Sequence, residues 1–253
     1  MELSEWMPWY EEIAQRLHLS KEEDQEATDF LSSLLKKDAL TLDEVRDRIS
    51  GRAAIVFGAG PSLANDLRRL TDAALLKKCC LITADGATTA LMKICEKFPD
   101  VIATDLDGRV EDQIEATRQG SVVIVHAHGD NAPALTKYVP RLKNRIGSTQ
   151  VEPRPHVYNF GGFTDGDRAA FAAVELGTRA LVLAGMDFGN VVGEYSKSGS
   201  RVSQTKMVKM EIGLELLAWL STRTGMPLYN VTERGVDIQG FRRVRPEELR
   251  ALL

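Results

Sequence analysis

Six glycine-bearing strings of this 253-residue chain carry polar side chains in patterns that could do chemistry. They are Gly58-Ala59-Gly60-Pro61-Ser62, Asp85-Gly86, Asp105-Leu106-Asp107-Gly108, His126-Ala127-His128-Gly129-Asp130-Asn131, Gly161-Gly162-Phe163-Thr164-Asp165-Gly166-Asp167-Arg168 and Gly185-Met186-Asp187. Five of the six contain acidic residues. Carboxylates brought together repel one another, and a bound cation removes that cost. Asp105 and Asp107, two apart, can point the same way and offer hard oxygen ligands to Mg²⁺. The Gly-Gly-Phe-Thr string reads as a glycine turn entering a helix, with Thr164 as cap. Asp165 and Asp167 are then candidates for a heterocycle edge or a metal, and Arg168 for balancing phosphate charge.

Each string follows a short apolar run: Ala53–Phe57, Cys80–Ala84, Val101–Ala103, Val122–Val125, Val157–Phe160 and Ala180–Ala184. Continuous apolar runs alternating with helical stretches predict a doubly wound α/β fold, a mainly parallel, Rossmann-like sheet covered on both faces. Ligands of such sheets bind beyond the carboxyl ends of the strands, where all six strings fall. A long helix is expected from about 204 to 223 and a last strand at Leu228–Val231. Ser196–Ser203, polar and rich in Gly and Ser, reads as a mobile loop over the site, bordered by Lys197, Arg201, Lys206 and Lys209. Those cations suit a polyphosphate or a solvated basic helix face.

Residues 1–50 follow a helical grammar, with Ile13, Leu17, Phe30, Leu31, Leu34 and Leu35 at three- and four-residue spacing. Ser20 with Glu23, and Thr41 with Glu44, mark two helix starts. This segment carries 13 acidic and 6 basic residues. It is expected to be a helical cap or dimerisation element (1–50) before an α/β catalytic domain (51–253), which leaves a homo-oligomer open.

With a net charge of −4 there is no global positive field for nucleic acid. No apolar run approaches membrane-spanning length, and the start is acidic and lacks the apolar stretch of a leader. Three cysteines, none in a CxxC pair, fit a reducing cytoplasm better than a disulfide framework or zinc site.

Single strings leave several readings open. Gly58-Ala59-Gly60-Pro61-Ser62 opens a helix after a strand, so its glycines could let backbone amides approach a phosphate. The third glycine of the dinucleotide fingerprint is replaced by Leu63, although Asp85 could imitate its ribose-binding acid. No GxxxxGK[ST] is present. The DLDG string is similar to that of haloacid-dehalogenase phosphatases, and DxD to that of metal-dependent glycosyltransferases. Here, however, the string ends the third strand and Arg109 follows. His126, His128 and Asp130 are similar to the HxHxD of binuclear metallohydrolases, but only His18 and His156 remain to complete such a site. Hydrogen bonding to substrate or phosphate is the preferred role, with Asp130 and Asn131 also capping the next helix.

Taken in order, GAGPSL, ADGA, ATDLDG, HAHGDN, GGFTDGDRA and AGMDFG resemble the archaeal 6-hydroxymethyl-7,8-dihydropterin pyrophosphokinase family over roughly residues 50–230. That family is related in fold to the catalytic domain of thiamin pyrophosphokinases. The resemblance implies transfer of the diphosphate of ATP to the hydroxymethyl group of the dihydropterin, releasing AMP, on the way to tetrahydromethanopterin or folate. It implies Mg²⁺ at Asp105 and Asp107, with Asp85 and Asp187 as further ligands. Gly58, Gly60, Pro61, Ser62, Asp85, Arg168 and Lys206 would serve the nucleotide and its phosphates. His128, Asp130, Asn131, Thr164, Asp165 and Asp167 would serve the pterin. A thiamin-type diphosphokinase, a nucleotide-sugar glycosyltransferase and a non-catalytic nucleotide sensor are the competing expectations.

Overall fold

A computed structural model describes residues 1–36, 39–189, 191, 193–196 and 203–253. Three helices come first: α1 (Leu3–Leu17), α2 (Lys21–Leu35) and α3 (Leu42–Ile49). Alternating elements follow: β1 (Ala53–Phe57), α4 (Leu63–Asp72), β2 (Cys80–Ala84), α5 (Ala87–Cys95), β3 (Val101–Thr104), α6 (Val110–Arg118), β4 (Val122–His126), α7 (Ala132–Tyr138), β5 (Arg145–Ser148) and β6 (Val157–Tyr158). The chain closes with α8 (Asp165–Glu175), β7 (Ala180–Ala184), α9 (Gln204–Thr222), β8 (Leu228–Asn230), β9 (Arg242–Arg243) and α10 (Pro246–Leu252).

The nine strands form one sheet in the order β6-β5-β4-β3-β2-β1-β7-β8-β9, and every pairing is parallel. From β1 the chain steps outward to β6, then returns through α8 to place β7 on the other flank of β1. The direction of winding therefore reverses between β1 and β7, where a doubly wound sheet opens a crevice.

β1, β2 and β7 match the apolar runs residue for residue, β3 and β4 extend theirs by one residue, and β6 and β8 stop short. Two strands lie outside any apolar run. β5 reads Arg-Ile-Gly-Ser and owes its place to ladders with both β4 and β6, while β9 is a two-residue exposed edge.

Side chains alternate across the sheet into two layers. Val56, Ile82, Ala103 and Ile124 pack against α1, α3, α8 and α9 through Trp6, Ile49, Phe171 and Leu216. On the opposite face Ile55 and Val182 meet α4, α5 and α10, while Ile102 and Val123 meet α2, α6 and α7. The amino-terminal helices thus divide between the faces, α1 and α3 on one and α2 on the other, wrapping the β6 side of the sheet. Ser20 accepts a hydrogen bond from the Glu23 amide at the start of α2, and Thr41 with Glu44 forms a full capping box on α3. No helix among the described residues is long and apolar enough to cross a membrane.

Candidate functional site

The strand-end turns line a cleft of about 720 Å³ that runs from the β4 end across β3, β2 and β1 to β7. Three non-glycine residues in these turns adopt left-handed backbone: Asp85 (φ 33°), Leu106 (φ 65°) and Phe188 (φ 48°). Such strain is tolerated where the surroundings over-determine it, typically at ligand sites.

At the centre, Asp85, Asp107 and Asp165 each present a carboxylate oxygen, and these atoms lie within 4.8 Å of one another. Asp85 is held by Thr104 Oγ1 (2.8 Å) and Gln113 Nε2 (2.7 Å), both donating to its Oδ1. Gly108 is required here, because a β-carbon would run into the Asp85 carboxylate. The left-handed turn at Leu106 separates the two aspartates beside it. Asp107 joins the trio, whereas Asp105 Oδ2 lies 3.6 Å from His128 Nε2. Burial, seconded by repulsion from Asp105 and Asp85, pushes the Asp165 carboxyl well above the usual carboxylate range, against the pull of Arg168. A divalent cation would remove that repulsion, and three hard oxygens suit one. Asp165, expected beside the pterin, therefore stands with the metal candidates.

Other polar residues of the strings brace the backbone. Asp167, fully buried, accepts from the amides of Phe163 (2.6 Å) and Thr164 (2.9 Å) and from the Thr164 hydroxyl, which leaves it closed to substrate. Asp187 accepts from the Ser62 amide (3.1 Å) and hydroxyl, locking the first string to the last. Asn131 does not cap α7. Its side chain accepts from the His128 amide (3.1 Å) and donates to the carbonyls of His126 (2.8 Å) and Asp105 (3.3 Å), stitching two turns together.

The Gly58–Ser62 turn also differs from its expected role. The amides of Gly58 and Gly60 donate to Ala184 O and Gly185 O, each at 2.9 Å, and that of Ser62 to Asp187. These amides are consumed by β7 and its turn. The glycines let two backbones touch: a β-carbon on Gly58 would lie 2.8 Å from Gly185 O, and one on Gly60 would collide with Asp187 Oδ2. The turn lines the cleft with the amides of Gly58, Gly60 and Ser62 already engaged within the protein.

Cationic groups also line the cleft. Arg168 is 4 % exposed; Nη1 lies 3.4 Å from Asp165 Oδ1, Nη2 donates to Phe163 O, and buried Nε has no hydrogen-bond partner among the described residues. Lys206, donating to Ser196 Oγ (2.8 Å), and Lys209 line the wall formed by α9. Lys197 and Arg201, with most of the Ser196–Ser203 stretch, lie outside the described residues.

Similarity to known proteins follows the same residues. The pattern of the family described as "6-hydroxymethylpterin diphosphokinase MptE-like" matches residues 29–193. The chain belongs to this family. Relatives include the 6-hydroxymethyl-7,8-dihydropterin pyrophosphokinase of Methanothermobacter thermautotrophicus, 46% identical over 87% of this chain and 95% of the relative. Proteins of the same name are 43% identical in Pyrococcus furiosus (87% and 94% covered) and 36% identical in Methanocaldococcus jannaschii (88% and 97% covered).

The MptE-like match takes in all six strand-end strings but neither Lys206 nor the turn joining α1 to α2. That turn enters the cleft: His18, Leu19, Ser20, Glu23 and Asp24 line its β4 end beside Gln150. Sequence reasoning missed these residues because an acidic first turn of an amphipathic helix looks like ordinary capping and dipole chemistry. The sole local signal was Ser20 itself, which fixes where α2 begins.

Proposed function

We propose that this MptE-like protein catalyses Mg²⁺-dependent transfer of diphosphate from ATP to 6-hydroxymethyl-7,8-dihydropterin, yielding AMP and the pterin methyl diphosphate. The observation that carries this reading is the trio Asp85, Asp107 and Asp165 beside the buried guanidinium of Arg168, in a cleft of about 720 Å³. The names of the relatives, which cover most of the chain, support the choice of acceptor. A reducing cytoplasm, where three thiols stay unpaired, suits the same reading.

In this reaction the hydroxymethyl oxygen attacks the β-phosphorus and the bond from that phosphorus to the bridging oxygen of AMP breaks. AMP departs with that oxygen, and the hydroxyl proton leaves to a base. Asp85, Asp107 and Asp165 would hold Mg²⁺, which when bound supplies charge neutralisation to the phosphate oxygens. Arg168, its Nε unsatisfied, is positioned to donate to equatorial oxygens as charge builds on them. Lys206 and Lys209 would grip the triphosphate from α9. Phe188, Tyr195 and Met210 offer an apolar wall for a purine at the same end.

The test incubates purified protein with ATP, Mg²⁺ and the dihydropterin, with thiamin in parallel, and identifies products by mass spectrometry. AMP with pterin diphosphate supports the reading. ADP would mean single phosphoryl transfer, product with thiamin alone would reassign the acceptor, and nucleotide binding without turnover would favour a sensor.

A further inference from the structure

The two ends of the cleft differ in charge. Lys206 of α9 donates to Ser196 Oγ (2.8 Å), next to Tyr195, whose carbonyl abuts Gly86, and so stands towards the β1–β2 end, while Lys209 lies over the Phe163 ring (5.8 Å). At the β4 end the lining carboxylates are Glu23, Asp24, Asp105 and Asp130. A triphosphate entering that acidic end would meet repulsion, whereas a neutral ring rich in N–H donors would meet acceptors.

The floor of this recess carries a buried polar ring. His126, 1 % exposed, contacts Ser148 Oγ through Nδ1 (3.2 Å) and has the Gln150 side chain beside it, and its buried Nε2 meets no well-aligned hydrogen-bond partner among the described residues. Burial, with Arg168 and His128 nearby, drives its pKa well below the ordinary imidazole value. The neutral ring can thus donate or accept at Nε2, according to tautomer.

One side chain ties the walls of the recess together. Asp24, on α2, is 3 % exposed and accepts three hydrogen bonds from three other segments. Tyr10 Oη of α1 (2.7 Å) and Gln150 Nε2 beyond β5 (2.7 Å) donate to Oδ2, and the Gly129 amide after β4 (2.8 Å) donates to Oδ1. The approach leaves no slack, since a β-carbon on Gly129 would lie 2.9 Å from Glu23 Cβ. The neighbouring His128 is held between Asp130 (2.7 Å) and Asp105 (3.6 Å), so the whole turn is braced from α2 towards the trio.

We propose that the acceptor's ring system, a planar heterocycle with an amide and amino edge, binds in the recess between the α1–α2 turn and the 126–130 turn. Asp24 is its positioning residue. This rests on the diphosphotransfer reading above and extends it to a segment that the family match does not reach. The amino-terminal helices thereby form the acceptor half of the active site, with Asp24 acting through Gly129 and Gln150 rather than by touching the ring.

The experiment measures two affinities separately: 6-hydroxymethyl-7,8-dihydropterin by its fluorescence, and a Mg²⁺-bound non-hydrolysable ATP analogue by calorimetry. For Asp24→Asn, which cannot accept from all three donors, the pterin Kd is expected to rise at least ~10-fold, with the nucleotide Kd within ~2-fold of wild type. Tyr10→Phe, removing one bond on the side away from the cleft, should give a smaller rise in the same direction. Hydrogen exchange on the wild-type protein provides a readout independent of any variant's folding. Pterin should slow amides at 18–24 and 128–130, and the nucleotide analogue alone should not. Unchanged pterin affinity in Asp24→Asn, equal loss of both ligands, or pterin protection confined to the β1–β7 end would overturn the proposal. A wild-type protein that binds nucleotide but no pterin would instead overturn the diphosphotransfer reading, and this assignment with it.

Discussion

The two flanks of the cleft are each fastened by a buried carboxylate that accepts hydrogen bonds from other segments, yet they fasten different things. At the β4 end Asp24 ties two amino-terminal helices to a turn that carries polar side chains into the cleft. At the β1–β7 end Asp66 accepts from the amides of Gly185 (2.9 Å) and Glu233 (3.1 Å), and Asp187 accepts from Ser62, so backbone is tied to backbone. The first arrangement displays chemistry, whereas the second sets the spacing of two turns. Between them the carboxylates of Asp85, Asp107 and Asp165 crowd one another. Acids that face each other across the cleft thus contrast with acids whose oxygens are taken up by hydrogen bonds from the scaffold.

That distinction can be broken most severely at the centre. Asp107→Asn should lower turnover by ~10³-fold while leaving the fold intact, as followed by AMP release and thermal melting. Wild-type turnover with unchanged Mg²⁺ dependence would remove Asp107 from the metal set. Next in size is Trp6→Ala on α1. Trp6 is fully buried and donates from Nε1 to Gln150 O (2.8 Å), so truncation should cost ~3–5 kcal/mol in urea unfolding. A loss under ~1 kcal/mol would show that the amino-terminal helices ride on the core without supporting it.

A methyl added at Gly60, colliding with Asp187, should cost ~1–3 kcal/mol and separate the two turns at the scaffold end. Gly60→Ala with unaltered stability would contradict the contact. The smallest effect concerns pH. Burial pushes the Asp66 carboxyl up to about 7, only partly offset by the Gly185 and Glu233 amides. The folded state disfavours the ionised form, so this penalty is absent below the unfolded pKa near 3.8 and grows as pH rises towards 7. Asp66→Asn should lack that slope, gaining ~1–2 kcal/mol on wild type between pH 5 and pH 8, as read by urea unfolding at both values. Parallel stability curves would refute the shift.

Much of this molecule was legible in its sequence because a buried parallel strand needs unbroken apolar residues. Ala53–Phe57, Cys80–Ala84 and Ala180–Ala184 announce themselves, and with them the turns that follow. Arg145–Ser148 does not, since its strand character comes from ladders on both sides rather than from its own residues. Among site residues, the strings located the cleft but could not say which acids face it. Asp165 and Asp167, two apart on one helix, look alike in sequence. The first joins the trio and the second is consumed by Phe163 and Thr164. Asp24 was invisible because its three partners lie on other segments.

The placement of β1 between β2 and β7 also governs the order in which the molecule assembles. Strands β1 to β6 each pair with a neighbour in sequence and can zip as the chain emerges from the ribosome. β7 must find β1 much later, setting residue 180 beside residue 53, a long-range closure that parallel sheets complete slowly. The cleft straddles this late seam, with the 58–62 turn laid down early and the 185–187 turn arriving well over a hundred residues later. A substrate that bridges both turns is then a clasp on the nascent fold. Amide exchange in β7 should slow on nucleotide binding, and release of product returns the seam to its loosest state.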